Sequence, residues 1–175
     1  MDDDETTARG GGDEPSGVAG DEPTGVADDE LTSDVGPPDA AILQVIRDRF
    51  LHHESLVASA SFDSVLHPTE LTIEFEDGIG SADRCRLEVT WFRSGSYRFH
   101  YVDSEGVNWR FDRHPNPHSP EKHFHEPPDA PSHTAVESCI EVEEPELVAL
   151  AVLKLWRRAY ETDDLEQLNG ARNPP

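Results

Sequence analysis

The chain has 175 residues, with 37 acidic side chains against 14 basic ones and a formal net charge of −23. That length provides for one core plus tails, and the charge excludes a generally basic nucleic-acid binder. No apolar run approaches the length of a membrane span, and the amino terminus is acidic where a secretory leader is basic and then apolar, so the expectation is a cytoplasmic protein with no membrane partner.

Residues 1–36 hold twelve acids against Arg9 alone, with Gly10, Gly11 and Gly12 in a row and a near-repeat, Asp13-Glu14-Pro15-Ser16-Gly17-Val18-Ala19 followed by Asp21-Glu22-Pro23-Thr24-Gly25-Val26-Ala27. A segment this charged and this poor in large apolar side chains cannot offset its ordering entropy, so it reads as a disordered acidic tail. Acids are also spread through the rest of the chain, and only Lys122 and Lys154 among the basic residues are lysines. This is the composition expected of a halophilic protein, whose carboxylates keep it hydrated where salt screens their repulsion.

A single α+β domain is expected over residues 37–165. Asp39 is placed to cap a helix on which Ile42, Leu43, Ile46, Phe50 and Val57 recur near the 3.6-residue period. Residues 70–76, 84–93, 96–103 and 107–113 then read as about four strands of an antiparallel meander, separated by the turn clusters at Asp77-Gly78, Ser94-Gly95 and Ser104-Glu105-Gly106. Alternation sends Cys85, Leu87, Val89, Trp91, Tyr97, Phe99, Tyr101, Trp109 and Phe111 to a core face, and Arg84, Arg86, Glu88, Arg98, His100, Arg110 and Asp112 to the other. A second helix starts at Pro145, a favoured first-turn residue, and runs past Trp156 and Ala159. Residues 166–175 read as a frayed tail. Cys85 and Cys139 sit in unrelated contexts, with no CxxC pair to suggest metal or redox chemistry.

The unusual chemistry lies between the last strand and the second helix, where His114, His118, His123 and His125 are interleaved with Pro115, Pro117 and Pro120. The prolines predict neither helix nor central strand here, and a long loop in a small domain is commonly functional. His123 and His125 alternate onto one side of an extended segment. Three roles stay open for these rings. They can act as general base and acid near neutral pH, with Asp112 orienting one of them or pairing Arg110 and with Arg84, Arg86, Arg98, Arg110 and Arg113 binding phosphate. They can instead gather a divalent transition metal through His114, His118, His123 and His125, although the spacing matches no strong zinc signature. Or they are a surface loop of hydrogen-bonded rings. Residues 84–125 carry seven bases against five acids, the one basic stretch of the chain, which suits an RNA phosphate backbone.

The motif Arg110-Phe111-Asp112 at a strand end, followed by spaced histidines closing on His123-Phe124-His125, resembles the TumE-type toxins of prokaryotic toxin–antitoxin pairs and related small haloarchaeal proteins, over about residues 62–160. The resemblance implies an α+β fold with an antiparallel sheet and a growth-inhibiting activity restrained by a helix-turn-helix antitoxin. Together with the histidine cluster it predicts a toxin-like protein that acts on RNA, a metal-independent ribonuclease needing no cofactor. A non-enzymatic interaction protein and a metal-binding domain are the alternatives.

Overall fold

Asp39 opens the first helix in the computed structural model, which describes residues 35–117 and 119–171. Its carboxylate accepts hydrogen bonds from the backbone N–H groups of Ala41 (3.1 Å) and Ile42 (3.3 Å), which supplies two of the donors a helix start leaves without partners. The helix, α1 (Ala40–His53), buries Leu43, Ile46 and Phe50. Its apolar period stops at Phe50. Val57, expected on the same stripe, instead opens a strand, β1 (Val57–Phe62), whose Ala60 carbonyl accepts from Arg47 Nε at 2.9 Å.

Six further strands follow: β2 (Leu71–Phe75), β3 (Cys85–Trp91), β4 (Tyr97–Asp103), β5 (Asn108–Arg113), β6 (Lys122–His125) and β7 (Val136–Glu137). They form one antiparallel sheet in chain order, β1 to β7. The α+β meander is therefore as expected in class but has seven strands rather than about four. The three additional strands are β1, β6 and β7. In β6 the prolines that argued against a strand lie in the connections on either side, and the segment Lys122–His125 itself is free of them. Gly95 and Gly106 adopt positive φ, 87° and 86°, where the β3–β4 and β4–β5 hairpins reverse and a side chain would be strained.

One face of the sheet is apolar and carries both helices. Leu87, Val89, Phe99, Tyr101, Trp109 and Phe111 have no accessible surface, and Phe124 of β6 joins them. The rings pack in sequence across the strands: Trp91 stacks on Tyr97 at 4.9 Å, Tyr101 on Trp109 at 4.9 Å, and Phe111 lies 4.5 Å from Phe124. Helix α2 (Pro145–Thr162) starts with Pro145 in its first turn and buries Val148, Val152, Leu155, Trp156 and Ala159 on this face. Trp156 sits 4.4 Å from Phe75. Two ion pairs tie α2 to α1 and its C-terminal cap: Arg49 with Glu146 at 2.6 Å, and Arg157 with the buried carboxylate of Glu54. No base lies in the last turn of α2, so its dipole has no complementary side chain there.

Both tail boundaries bear ordered contacts. Val35 is buried, and Ser94 Oγ donates to its carbonyl at 2.6 Å. Beyond α2, where fraying is expected, residues Leu165–Asn169 form a 3-10 turn with Leu168 fully buried, and Asn169 Oδ1 accepts from Cys139 N at 2.8 Å. Residues 1–34 of the acidic segment, residues 172–175 and His118 lie outside the described residues. Among the described residues no helix is long and apolar enough to cross a membrane.

Candidate functional site

The register of β3 to β6 writes two polar rows across the face opposite the helices. Thr90, Arg98, Asp112 and His123 are successive cross-strand partners in the first row, and Glu88, His100, Arg110 and His125 in the second. Side chains of one row stand beside those of the next, because residues two apart on a strand share a face. The rows meet at Asp112. Its carboxylate is fully buried, with Arg110 Nε 2.7 Å from Oδ2 and Arg98 Nε 3.4 Å from Oδ1. His125 Nε2 approaches Oδ2 to 3.4 Å and His123 Nε2 to 3.8 Å.

The connections around β6 cover this corner of the sheet and set the chemistry of both rings. His123 Nδ1 bonds the carbonyl of Pro120 at 2.8 Å, and His125 Nδ1 bonds the carbonyl of Pro131 at 2.9 Å. A carbonyl only accepts, so each Nδ1 carries the hydrogen, and in the neutral ring each Nε2 presents its lone pair toward Asp112. His125 Nε2 receives one donor, Arg110 Nη2 at 3.0 Å. The two imidazoles are 1% and 3% exposed, whereas the side chains of Arg98 and Arg110 are 16% and 13% exposed and reach the surface above them. The backbone carbonyl of Pro128 accepts from Asn108 N at 2.7 Å, which anchors the covering loop to β5.

Electrostatics follow from this packing. Burial acts to raise the Asp112 carboxyl, but the guanidinium groups of Arg110 and Arg98 beside it favour the charged form and hold it below its usual range. Burial pushes His123 below the ordinary imidazole value, against the opposing pull of Asp112 and of the Pro120 carbonyl, so the ring is neutral at pH 7. On the surface beside this cluster, His100 Nδ1 lies 3.2 Å from Glu88 Oε2, and Arg86 Nε donates to Glu88 Oε1 at 2.7 Å.

Of the residues expected at a site, Asp112, His123, His125, Arg98 and Arg110 are brought together. His114 stands at the margin: its ring meets that of His123 edge to face at 4.8 Å, and its Nδ1 turns to the carbonyl of Pro115. His118 lies outside the described residues. Arg84 and Arg86 share the polar face but line a cleft at its far end with Glu74 and Asp103. Arg113 points the other way. It has the parity of Phe111, so it emerges on the helix side and pairs with Glu121 at 2.8 Å and Glu143 at 3.7 Å. Grouping it with the other arginines by charge overlooked that parity. The sequence reading places His100 on this face by alternation but assigns it no role, and it misses the carbonyls of Pro120 and Pro131, which no sequence pattern signals.

Among the described residues, Asp112, His123 and His125 form the one set of three potential ligands with donor atoms all within 4.8 Å of one another. Of the four histidines considered from spacing, His118 lies outside the described residues, and among the other three His123 and His125 present a nitrogen to the cluster.

No curated protein and no solved structure matches the chain. A family model described as Toxin TumE matches residues 44–160, which runs from the first helix through all seven strands and nearly to the end of the second helix. The strand-end Asp112 and the His123-Phe124-His125 segment, the residues that converge on the polar face, fall inside that match, which takes in well over half of the sequence, and the chain belongs to the TumE toxin family.

Proposed function

We propose that this protein is the toxin of a cytoplasmic toxin–antitoxin pair and that it acts on RNA through the polar corner of its sheet. The observation that carries the reading is the convergence of two imidazole Nε2 atoms and two guanidinium groups on one buried carboxylate. Arg98 and Arg110 both reach the surface at that point, and planar guanidinium groups side by side suit the non-bridging oxygens of a phosphodiester. His100 stands next to them in the second row, available to a base or a ribose hydroxyl. Asp112 holds both arginines in place, and His123 and His125 form the reacting layer beneath.

The antitoxin that the family implies, proposed here as a helix-turn-helix protein, would silence this activity by covering the same corner. The acidic remainder of the surface disfavours non-specific RNA binding, so contacts must be few and geometric.

The test is incubation of the purified full chain with total RNA in molar potassium chloride, with and without EDTA, beside the His123→Ala, His125→Ala double variant. Cleavage in either condition by the parent protein and not by the variant is the expected result. RNA left intact by the parent in both conditions overturns the ribonuclease reading, and cleavage retained by the variant overturns the assignment of the site.

A further inference from the structure

His123 Nε2, His125 Nε2 and Asp112 Oδ2 are three acceptors facing one another in a buried corner, an arrangement that is repulsive without a cation between them. Arg110 supplies part of that charge, through Nε to Oδ2 and Nη2 to His125 Nε2. Yet both Asp112 oxygens are buried without a hydrogen-bond partner among the described residues, where Arg110 Nη2 donates to His125 Nε2 instead. The Nδ1 sides are already committed to the carbonyls of Pro120 and Pro131. A ring whose second nitrogen donates to a backbone carbonyl is fixed in tautomer and orientation, the outer-shell arrangement typical of metal-ligating histidines.

The geometry points to a divalent transition-metal site built from Asp112, His123 and His125. It goes beyond the activity proposed above and does not depend on RNA being the substrate. Ligand atoms about 2.0–2.2 Å from a common ion lie roughly 3–3.5 Å from one another. The observed 3.4 Å between His125 Nε2 and Asp112 Oδ2 meets that spacing, the 3.8 Å to His123 Nε2 needs a shift of a few tenths of an ångström, and the widest separation in the set, up to 4.8 Å, must close by about an ångström as an ion draws the rings together. Two imidazoles with one carboxylate suit zinc, or ferrous iron and its neighbours, rather than magnesium or calcium, which prefer all-oxygen shells.

Such an ion must compete with the guanidinium of Arg110, because both seek the position between Oδ2 and His125 Nε2. Arg110 is at the surface end of the cluster and can rotate outward, where its charge would be available to a phosphate. A three-residue site also leaves positions for water or substrate oxygen, the feature that separates catalytic from structural zinc sites. An ion held there would extend the reach of these buried rings toward a substrate on the surface above them.

The experiment is titration of the chelator-treated, dialysed full chain with Zn2+ alone by calorimetry, with Co2+ as a spectroscopic probe and no RNA present. One Zn2+ per chain with sub-micromolar affinity is expected, together with the visible ligand-field bands of Co2+ bound to nitrogen and oxygen donors. His125→Gln and His123→Gln should each weaken the stoichiometric step at least a hundredfold, while His67→Ala, at an exposed loop histidine, leaves it unchanged. Arg110→Gln should tighten it about tenfold by removing the competitor. Absence of a stoichiometric step in the parent overturns the site, as does its survival in both histidine variants. Weaker Zn2+ binding in Arg110→Gln overturns the competition and with it the position assigned to the ion. Because these readouts are binding alone, they stand or fall apart from the RNA assay.

Discussion

Asp112 is the residue on which the polar face depends. It is a carboxylate with no accessible surface, flanked by two guanidinium groups that are themselves mostly buried. Breaking such a group by removing one member leaves uncompensated buried charge and typically costs 3 kcal/mol or more, whereas the intact pair contributes little relative to an apolar substitute. Asp112→Ala is therefore expected to lower unfolding free energy by about 3 kcal/mol, measured by urea denaturation. A loss below about 1 kcal/mol would mean that Arg98 and Arg110 swing into water unaided and that Asp112 does not organise them. Much of this corner is legible in the sequence. Alternation alone puts Asp112 with Arg98 and Arg110, and His123 with His125. What alternation cannot deliver is burial, since the covering loops and their two carbonyls come from chain that has no regular period. The same rule, applied by parity instead of charge, separates Arg113 from its neighbours.

At the scale of elements, the strands read best where large apolar residues alternate, as in β3 to β5, and worst where they do not. β1 consists of Val57, Ala58, Ser59, Ala60, Ser61 and Phe62, mostly too small in their side chains to show a period and directly downstream of a helix whose predicted stripe extends to Val57. β6 was masked by prolines that belong to its flanking loops, and β7 is two residues long. The pairing between elements also carries a measurable charge effect. Glu88 of β3 faces His100 of β4, and the hydrogen bond with His100, opposed by burial and assisted by Arg86, brings its carboxyl down to about 2. A carboxyl depressed in the folded state stabilises the fold above its unfolded value and loses that contribution as pH falls through the folded one. The window is thus from about pH 4.5 down to about 2. After screening at this partly exposed position, about 1–2 kcal/mol is expected to vanish across it. Urea midpoints of Glu88→Gln against the parent, taken from pH 6 to 2, should converge as the pH drops. Parallel curves would show that the β3–β4 pair contributes nothing specific.

For the whole molecule the governing quantity is the net charge of −23. Repulsion among so many carboxylates acts over about 10 Å at 0.1 M salt and only about 3 Å at 1 M, so the folded state gains as salt rises. The apolar face, with its continuous aromatic packing from Trp91 to Phe124, is indifferent to that screening. The thermal midpoint is accordingly expected to climb by about 10 °C between 0.1 M and 2 M potassium chloride, a gain of a few kcal/mol for a domain of this size. A flat or falling midpoint would dissociate the acidic surface from adaptation to salt. The polar corner responds in the opposite sense. The proposed contacts with a phosphate backbone through Arg98 and Arg110 neutralise about two phosphates, so RNA affinity should fall with a log–log salt slope of about −1.5 rather than the steep loss of a broad basic surface. Stability and the proposed RNA binding then trade off along one variable, and the salt concentration that holds the sheet together sets how much of any such recognition must come from the geometry of the two rows.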